Sequence, residues 1–362
     1  MSALKKIELG GYKSIRSMSL DLLPINVLIG ANGVGKSNFL SFFKLLSSLV
    51  AGKLQDFVAS QGGADAMLFN SRQTSQSVEA KLDFGENLYE FSLAPDSDDS
   101  LYFVSEVALV WDRLEFPRPY DEQLGSGHRE SSLITSKLPV ASYVREKMSR
   151  WTLYHFHDTS ASAKVKQSTK VDDNEKLAQD ARNLPAFLLL LKETESAAYR
   201  QIVEVIRLAA PFFEDFVLRP NPRNRDLIRL EWNQRNSNAI FGASDLSDGT
   251  LRFICLATAL LQPTPPSVIL IDEPELGLHP YAIALLASLI RKTSEQCQLI
   301  ISTQSVPLVN QFVPEDAVIV ERHDESSTFF RVSSDEFSDW LDDYGLGDLW
   351  EKNVIGGRPT YA

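Results

Sequence analysis

Ile25-Asn26-Val27-Leu28-Ile29 and Val268-Ile269-Leu270-Ile271 are short, nearly unbroken apolar runs with polar or glycine-rich flanks. Runs of this kind suit strands buried on both faces, as in parallel sheets covered by helices. Other stretches follow other periods. Phe39, Phe42, Phe43, Leu46, Leu49 and Val50 recur at helical spacing, and residues 183–192, 197–210 and 251–261 also read as helices. Residues 78–84, 88–94 and 101–111 alternate or are β-rich, which predicts an antiparallel lobe. Residues 4–9 and 17–23 read as an opening antiparallel pair at the edge of the main sheet. A short helix is expected over 142–151, with strands near Val217, at 227–232 and at 318–321. Tyr154, Phe156 and Asp158 alternate with His155 and His157, which predicts a strand with both histidines on one face. Residues 117–128 are polar and turn-rich. Residues 161–180 are charged and poor in apolar positions, so they are expected to form a mobile lid or a disordered loop.

Between the first apolar run and the first helix stands Gly30-Ala31-Asn32-Gly33-Val34-Gly35-Lys36-Ser37, followed by Asn38. It fits G-x-x-x-x-G-K-[ST], in which loop amides and a helix N-terminus cradle phosphate. Lys36 would reach the β- and γ-phosphates, and the Ser37 hydroxyl would ligate Mg²⁺. The second apolar run ends in Asp272-Glu273. Carboxylates just past a parallel strand lie in the crevice where open α/β sheets bind ligands. Asp272 is therefore a candidate Mg²⁺ group, directly or through water, and Glu273 a candidate general base for the attacking water. ATP and Mg²⁺ are the expected substrate and metal.

Leu246-Ser247-Asp248-Gly249-Thr250-Leu251-Arg252 opens the helix over 251–261. In isolation Ser-Asp-Gly is an ordinary turn and N-cap. Between a P-loop and an acidic strand end it resembles the signature of ABC-type ATPases, with Asp248 in place of the commoner first glycine. The resemblance implies that Ser247 and Gly249 of one subunit cap the γ-phosphate held by the P-loop of the other. Pro274-Glu275-Leu276-Gly277-Leu278-His279-Pro280 is similar to the D-loop segment of the SMC/RecF branch and of the related bacterial predicted ATPases (AAA family, OLD-like). Leu299-Ile300-Ile301-Ser302-Thr303-Gln304-Ser305 then resembles the next strand and switch loop. Most relatives carry His at the position of Gln304, which can donate one hydrogen bond there but carries no charge. Gln61, Gln73 and Gln76 are all open as the glutamine of the Q-loop. Two further segments, 154–160 and 337–359, resemble one subgroup of those predicted ATPases; the latter contains Trp340, Tyr344, Trp350 and Asn353-Val354-Ile355-Gly356-Gly357.

Pattern and resemblance together imply an α/β P-loop NTPase of ABC/SMC-head type, a mixed sheet with an antiparallel β lobe and a helical insertion. The expected division is an ATPase core of 1–60 and 233–362, a β lobe of 61–116, and a lid with helical subdomain of 117–232. The expected function is an ATPase that forms a homodimer around ATP. It would control a separate effector, a nuclease or Toprim-type protein, in DNA maintenance or phage defence. The alternative is a direct DNA-binding clamp of RecF type. No N-K-x-D guanine motif and no long heptad array occur. The 58 residues that follow Gln304 (362 − 304) are too few for a Toprim domain beside the remaining core strand.

Composition narrows the partners. Net charge is −12, which opposes non-specific attraction to nucleic acid unless a basic face is segregated. Arg219, Arg223, Arg225 and Arg229 form one candidate cluster, and Lys164, Lys166 and Lys170 another. No run approaches 18 apolar residues, so no membrane partner is expected. Met1 to Lys6 lacks a signal-peptide core. With only Cys255 and Cys297 present, a reducing cytoplasm is the expected location. His155-x-His157 beside Asp158 lacks a dependable third ligand and is read as structural.

Overall fold

The computed structural model describes residues 4–111, 118–341 and 343–357. Residues 112–116 of the expected β lobe, Pro117 and Pro359 lie outside the described residues. The chain opens with β1 (Lys6–Tyr12), β2 (Ile15–Asp21) and β3 (Ile25–Ile29), then α1 (Lys36–Ala51) and α2 (Leu54–Ser60). Next come β4 (Val78–Asp83), β5 (Asn87–Pro95), β6 (Leu101–Val110), β7 (Tyr120–Gly125), α3 (Pro139–Ser149) and β8 (Trp151–Tyr154). A middle section carries β9 (Thr169–Lys170), α4 (Leu184–Thr194), α5 (Ser196–Ala209), β10 (Phe213–Phe216), β11 (Pro220–Asn221), β12 (Asn224–Ile228), β13 (Glu231–Gln234) and β14 (Ile240–Gly242). The remainder is α6 (Asp248–Leu261), β15 (Val268–Asp272), α7 (Pro280–Ser294), β16 (Gln298–Thr303), α8 (Val306–Val309), β17 (Ala317–His323), β18 (Ser326–Arg331), α9 (Ser334–Leu341) and α10 (Leu346–Glu351).

The two apolar runs become neighbours of one strand in a sheet ordered β18-β17-β3-β16-β15-β8, parallel except for β18. Side chains alternate across a strand, and here both alternating sets are apolar. Val27, Ile29, Ile269, Ile271, Leu299 and Ile301 pack into the core beneath α4 to α7. Leu28, Val268, Leu270, Ile300, Val318 and Val320 face the opposite way, toward α1 and the second sheet. Burial on both faces is why these strands read as continuous runs.

The second sheet is wholly antiparallel, β2-β1-β4-β5-β6-β7. Here the structure corrects the placement of the opening pair: β1 pairs with β4, Lys6 opposite Asp83, rather than joining the main sheet's edge. Ile7 and Leu9 thereby share a buried surface with Ala80 and Leu82. The segment 117–232 is also distributed. β7 extends the antiparallel sheet, α3 packs against α1, β5 and β6, and β8 is the outer strand of the parallel sheet, so the helical insertion is made from the residues after β8.

Residues 161–180, expected as a mobile lid or disordered loop, take a defined course packed on the core. Ala163, Val165 and Leu177 bury against the helical core. The fully buried Asn183 side chain donates to Asp173 O and Lys176 O and accepts from the Ala178 amide. A few anchors suffice where composition alone suggested solvation. The strand expected through Asp158 ends at Tyr154, where pairing with Ile271 stops, so His155 and His157 share no strand face. No helix among the described residues is long and apolar enough to cross a membrane.

Candidate functional site

The glycine loop leaves β3 and enters α1 at the parallel sheet's C-terminal edge. Gly33 (φ 79°) and Gly35 (φ 116°) both adopt backbone that glycine favours. At Gly35 a side chain would also collide with Ser327 of β18. Ser327 is a brace: its Oγ donates 2.6 Å to Val34 O and lies 2.7 Å from Ser14 Oγ, which accepts from Asn38 Nδ2 at 2.8 Å. The β1–β2 turn and β18 thus clamp the loop from outside.

Lys36 is buried at 5% exposure, and its ammonium donates to Gly30 O (2.5 Å) and Ala31 O (2.8 Å). Burial lowers its pKa, and the carboxylates of Glu273, Asp272 and Glu275 work against that shift. Ser37 is exposed in the first turn of α1, which runs for 16 residues with its positive pole at the loop.

At the end of β15, Asp272 accepts from Ser302 Oγ of β16 at 2.5 Å. Glu273 follows in left-handed backbone (φ 41°), a conformation that costs a non-glycine residue about 1–3 kcal/mol and recurs at functional sites. The Glu273 amide donates to Ser302 O, which holds that turn. Gln304 Nε2 donates to both Glu273 Oε1 and Asn32 Oδ1, each at 2.6 Å. One amide therefore joins the strand-end carboxylate to the phosphate loop. Asn32, Gly33, Gly35, Lys36, Ser37, Asn38, Glu273, Ser302 and Gln304 line a single pocket of about 130 Å³. Gly30 is pressed against Val320 O, the Ala31 amide donates to Gly357 O, and Val34 is buried beneath the loop.

Ser247 and Gly249 do not line that pocket. Ser247 is exposed as N-cap of α6, its Oγ accepting from the Thr250 amide at 3.2 Å. Gly249 is in backbone contact with Gly277, so closely that a Cβ would collide with Gly277 O. None of Gln61, Gln73 and Gln76 reaches the pocket, and Gln61 instead accepts from Lys13 Nζ at 2.9 Å.

Two residues here escaped sequence reasoning. Ser302 stands in the apolar strand before Gln304, where its type alone points to no partner. Arg252, 6% exposed, reaches two other segments through three carbonyls: Nε donates to Phe156 O (3.0 Å), one terminal nitrogen to His157 O (3.1 Å) and the other to Leu276 O. An arginine one turn into an otherwise apolar helix was the available signal. Arg252→Ala should destabilise the fold by about 2–4 kcal/mol, because three backbone carbonyls, one buried and two part-buried, lose a charged donor; denaturant titration would measure it.

Burial sets two other groups. Glu275 Oε1 accepts from Thr303 Oγ1 at 2.5 Å while Oε2 is buried without a partner, and desolvation raises the carboxyl above its usual range. Burial, reinforced by Lys44 and His157, lowers the His155 imidazole to about 4, so it is neutral at pH 7. The basic candidates fare unevenly. Arg229 and Arg219 both pair with Glu231, at 2.6 and 3.5 Å, while the β9–β12 pairing sets Lys170 opposite Leu227, in the same small sheet as Arg225.

Comparison with known proteins bears on the family and the fold. The fold is similar to an Smc head bound to the C-terminal winged-helix domain of ScpA (TM-score 0.61, 16% identity, 93% of this chain and 99% of that one). It is also similar to the Smc head domain with an extended coiled coil bound to the C-terminal domain of ScpA derived from Pyrococcus furiosus (TM-score 0.55, 16% identity, 94% and 99%). Over 115 residues the sequence is 28% identical to the phosphate import ATP-binding protein PstB of Malacoplasma penetrans (strain HF-2), 30% of this chain. The match spans only 39% of the length of that relative. Residues 25–310 match the profile of the family described as "AAA domain, putative AbiEii toxin, Type IV TA system". The chain belongs to that family, and its fold is that of the ABC/SMC-type P-loop ATPase heads.

Proposed function

We propose that the protein hydrolyses ATP at a site shared between two copies of itself and uses that cycle to control a partner effector. The observation that carries this reading is the pair of hydrogen bonds donated by Gln304, which holds Glu273 and Asn32 about one pocket. Loop amides and Lys36 would take the phosphates. The Ser37 hydroxyl and the Asp272 carboxylate are hard oxygen donors of the kind Mg²⁺ prefers, so the residues fit that ion. Mg²⁺ bound there would neutralise charge on the β- and γ-phosphate oxygens. Glu273 would accept a proton from water as its oxygen attacks the γ-phosphorus, and the bond to the ADP oxygen breaks. Gln304 orients Glu273 without adding charge.

One chain leaves this pocket without the signature. Ser247 is an exposed cap on a 14-residue helix and lines no part of it. A helix N-terminus offered to an anion suits the open side of a partner's P-loop. The Glu273→Gln protein should therefore double in mass with Mg-ATP in light scattering, and adding Ser247→Arg should prevent it. Unchanged mass in Glu273→Gln alone would remove the shared-site dimer from the reading. A nuclease partner rests on the resemblance to ATPases that carry such a domain. A DNA clamp is the weaker alternative, since Glu231 engages two of the four clustered arginines.

A further inference from the structure

The closing segment, which resembles one subgroup of ATPases, lines no part of the nucleotide pocket. Leu346, Leu349, Trp350 and Ile355 bury into the same core as Ile319 and Leu308. At one end, Asn310, which caps α8, accepts from the Gly347 amide at 2.7 Å; α8 begins two residues after Gln304. At the other end the chain turns through Gly356 (φ 79°) and Gly357 (φ 82°). Gly357 O accepts from the Ala31 amide at 3.1 Å, and the Gly357 amide donates to Glu321 Oε1 at 2.6 Å. A Cβ on Gly357 would stand 3.0 Å from both Ile319 Cγ2 and Trp350 Nε1, and one on Gly356 would stand 2.6 Å from Glu321 Oε1. The two glycines bring backbone where no side chain fits.

From this geometry we propose that residues 345–357 form a strap that positions the nucleotide site, with Glu321 and Gly357 as its positioning residues. The strap joins the P-loop to the segment after Gln304. Ala31 is held from outside by Gly357, and the adjacent Asn32 from inside by Gln304. Releasing Gly357 would leave Ala31 and Asn32 tethered on one side only and loosen the loop that receives phosphate. The tail then sets ATP affinity from outside the pocket. This deepens the ATPase reading and depends on it.

The test uses the full chain and equilibrium binding of ATP with Mg²⁺. Glu321→Ala removes the acceptor of the Gly357 amide and should weaken ATP binding about tenfold, the equivalent of one lost hydrogen bond to a charged group. Glu321→Gln keeps an acceptor oxygen and should bind within about twofold of the parent. In steady state the Glu321→Ala loss should fall on KM more than on kcat, a split that general destabilisation would not produce. Gly357→Ala, which disturbs the strap without touching Glu321, should match Glu321→Ala and serves if that variant fails to fold. Parent-like affinity in a folded Glu321→Ala or Gly357→Ala protein overturns the strap. Equal loss in Glu321→Gln also overturns it, since the charge beside His323 would then be responsible. If the parent itself binds no ATP, the ATPase reading falls and the strap with it.

Discussion

Glu273→Gln should lower ATP turnover by roughly 10²–10⁴-fold, the usual contribution of a positioned general base, while ATP still binds. Phosphate release under single-turnover conditions, with ATP affinity measured in parallel, would check both halves. The physical basis is that the substitution keeps shape and one acceptor oxygen but removes the only basic group that Gln304 holds beside the P-loop. Its strained backbone is unchanged, so the pocket should persist. Near-parental turnover would assign the base elsewhere, and parallel loss of binding would make Glu273 a structural support.

Lys36→Ala should instead weaken ATP binding itself. Truncating one partner of a buried charge pair costs about 2–5 kcal/mol, which corresponds to about 30-fold to a few thousandfold in affinity. The same change leaves Gly30 O and Ala31 O without their donor, so the loop itself relaxes. Equilibrium titration with ATP separates the two variants: Glu273→Gln keeps its affinity for nucleotide and Lys36→Ala loses affinity by that factor. If Lys36→Ala binds like the parent, the loop does not hold phosphate.

The features legible in sequence were those whose cause is local. A glycine loop between an apolar strand and a helix announces itself because strand, turn and helix N-terminus are contiguous. Asp272 and Glu273 are placed by the same logic, at the end of a run buried on both faces. Long-range choices were less visible. Residues 4–9 and 17–23 alternate in a way that satisfies either sheet, and only pairing with β4 decides between them. Residues 161–180 looked solvated because three small or medium apolar anchors are too sparse to make a period. Arg252, Ser302 and Glu321 act through partners 24 to 96, 30 and 36 residues distant, separations that no window along the chain can see.

The backbone contact between Gly249 and Gly277 bears on cooperativity. Gly277 lies four residues after Glu273, on the turn that Arg252 ties down through Leu276 O. If the α6 N-terminus shifts to engage nucleotide held by a second protomer, that shift passes to this turn and to the protomer's own base. Loading one half of such a dimer would then alter firing at the other, and turnover would rise with ATP more steeply than a hyperbola allows.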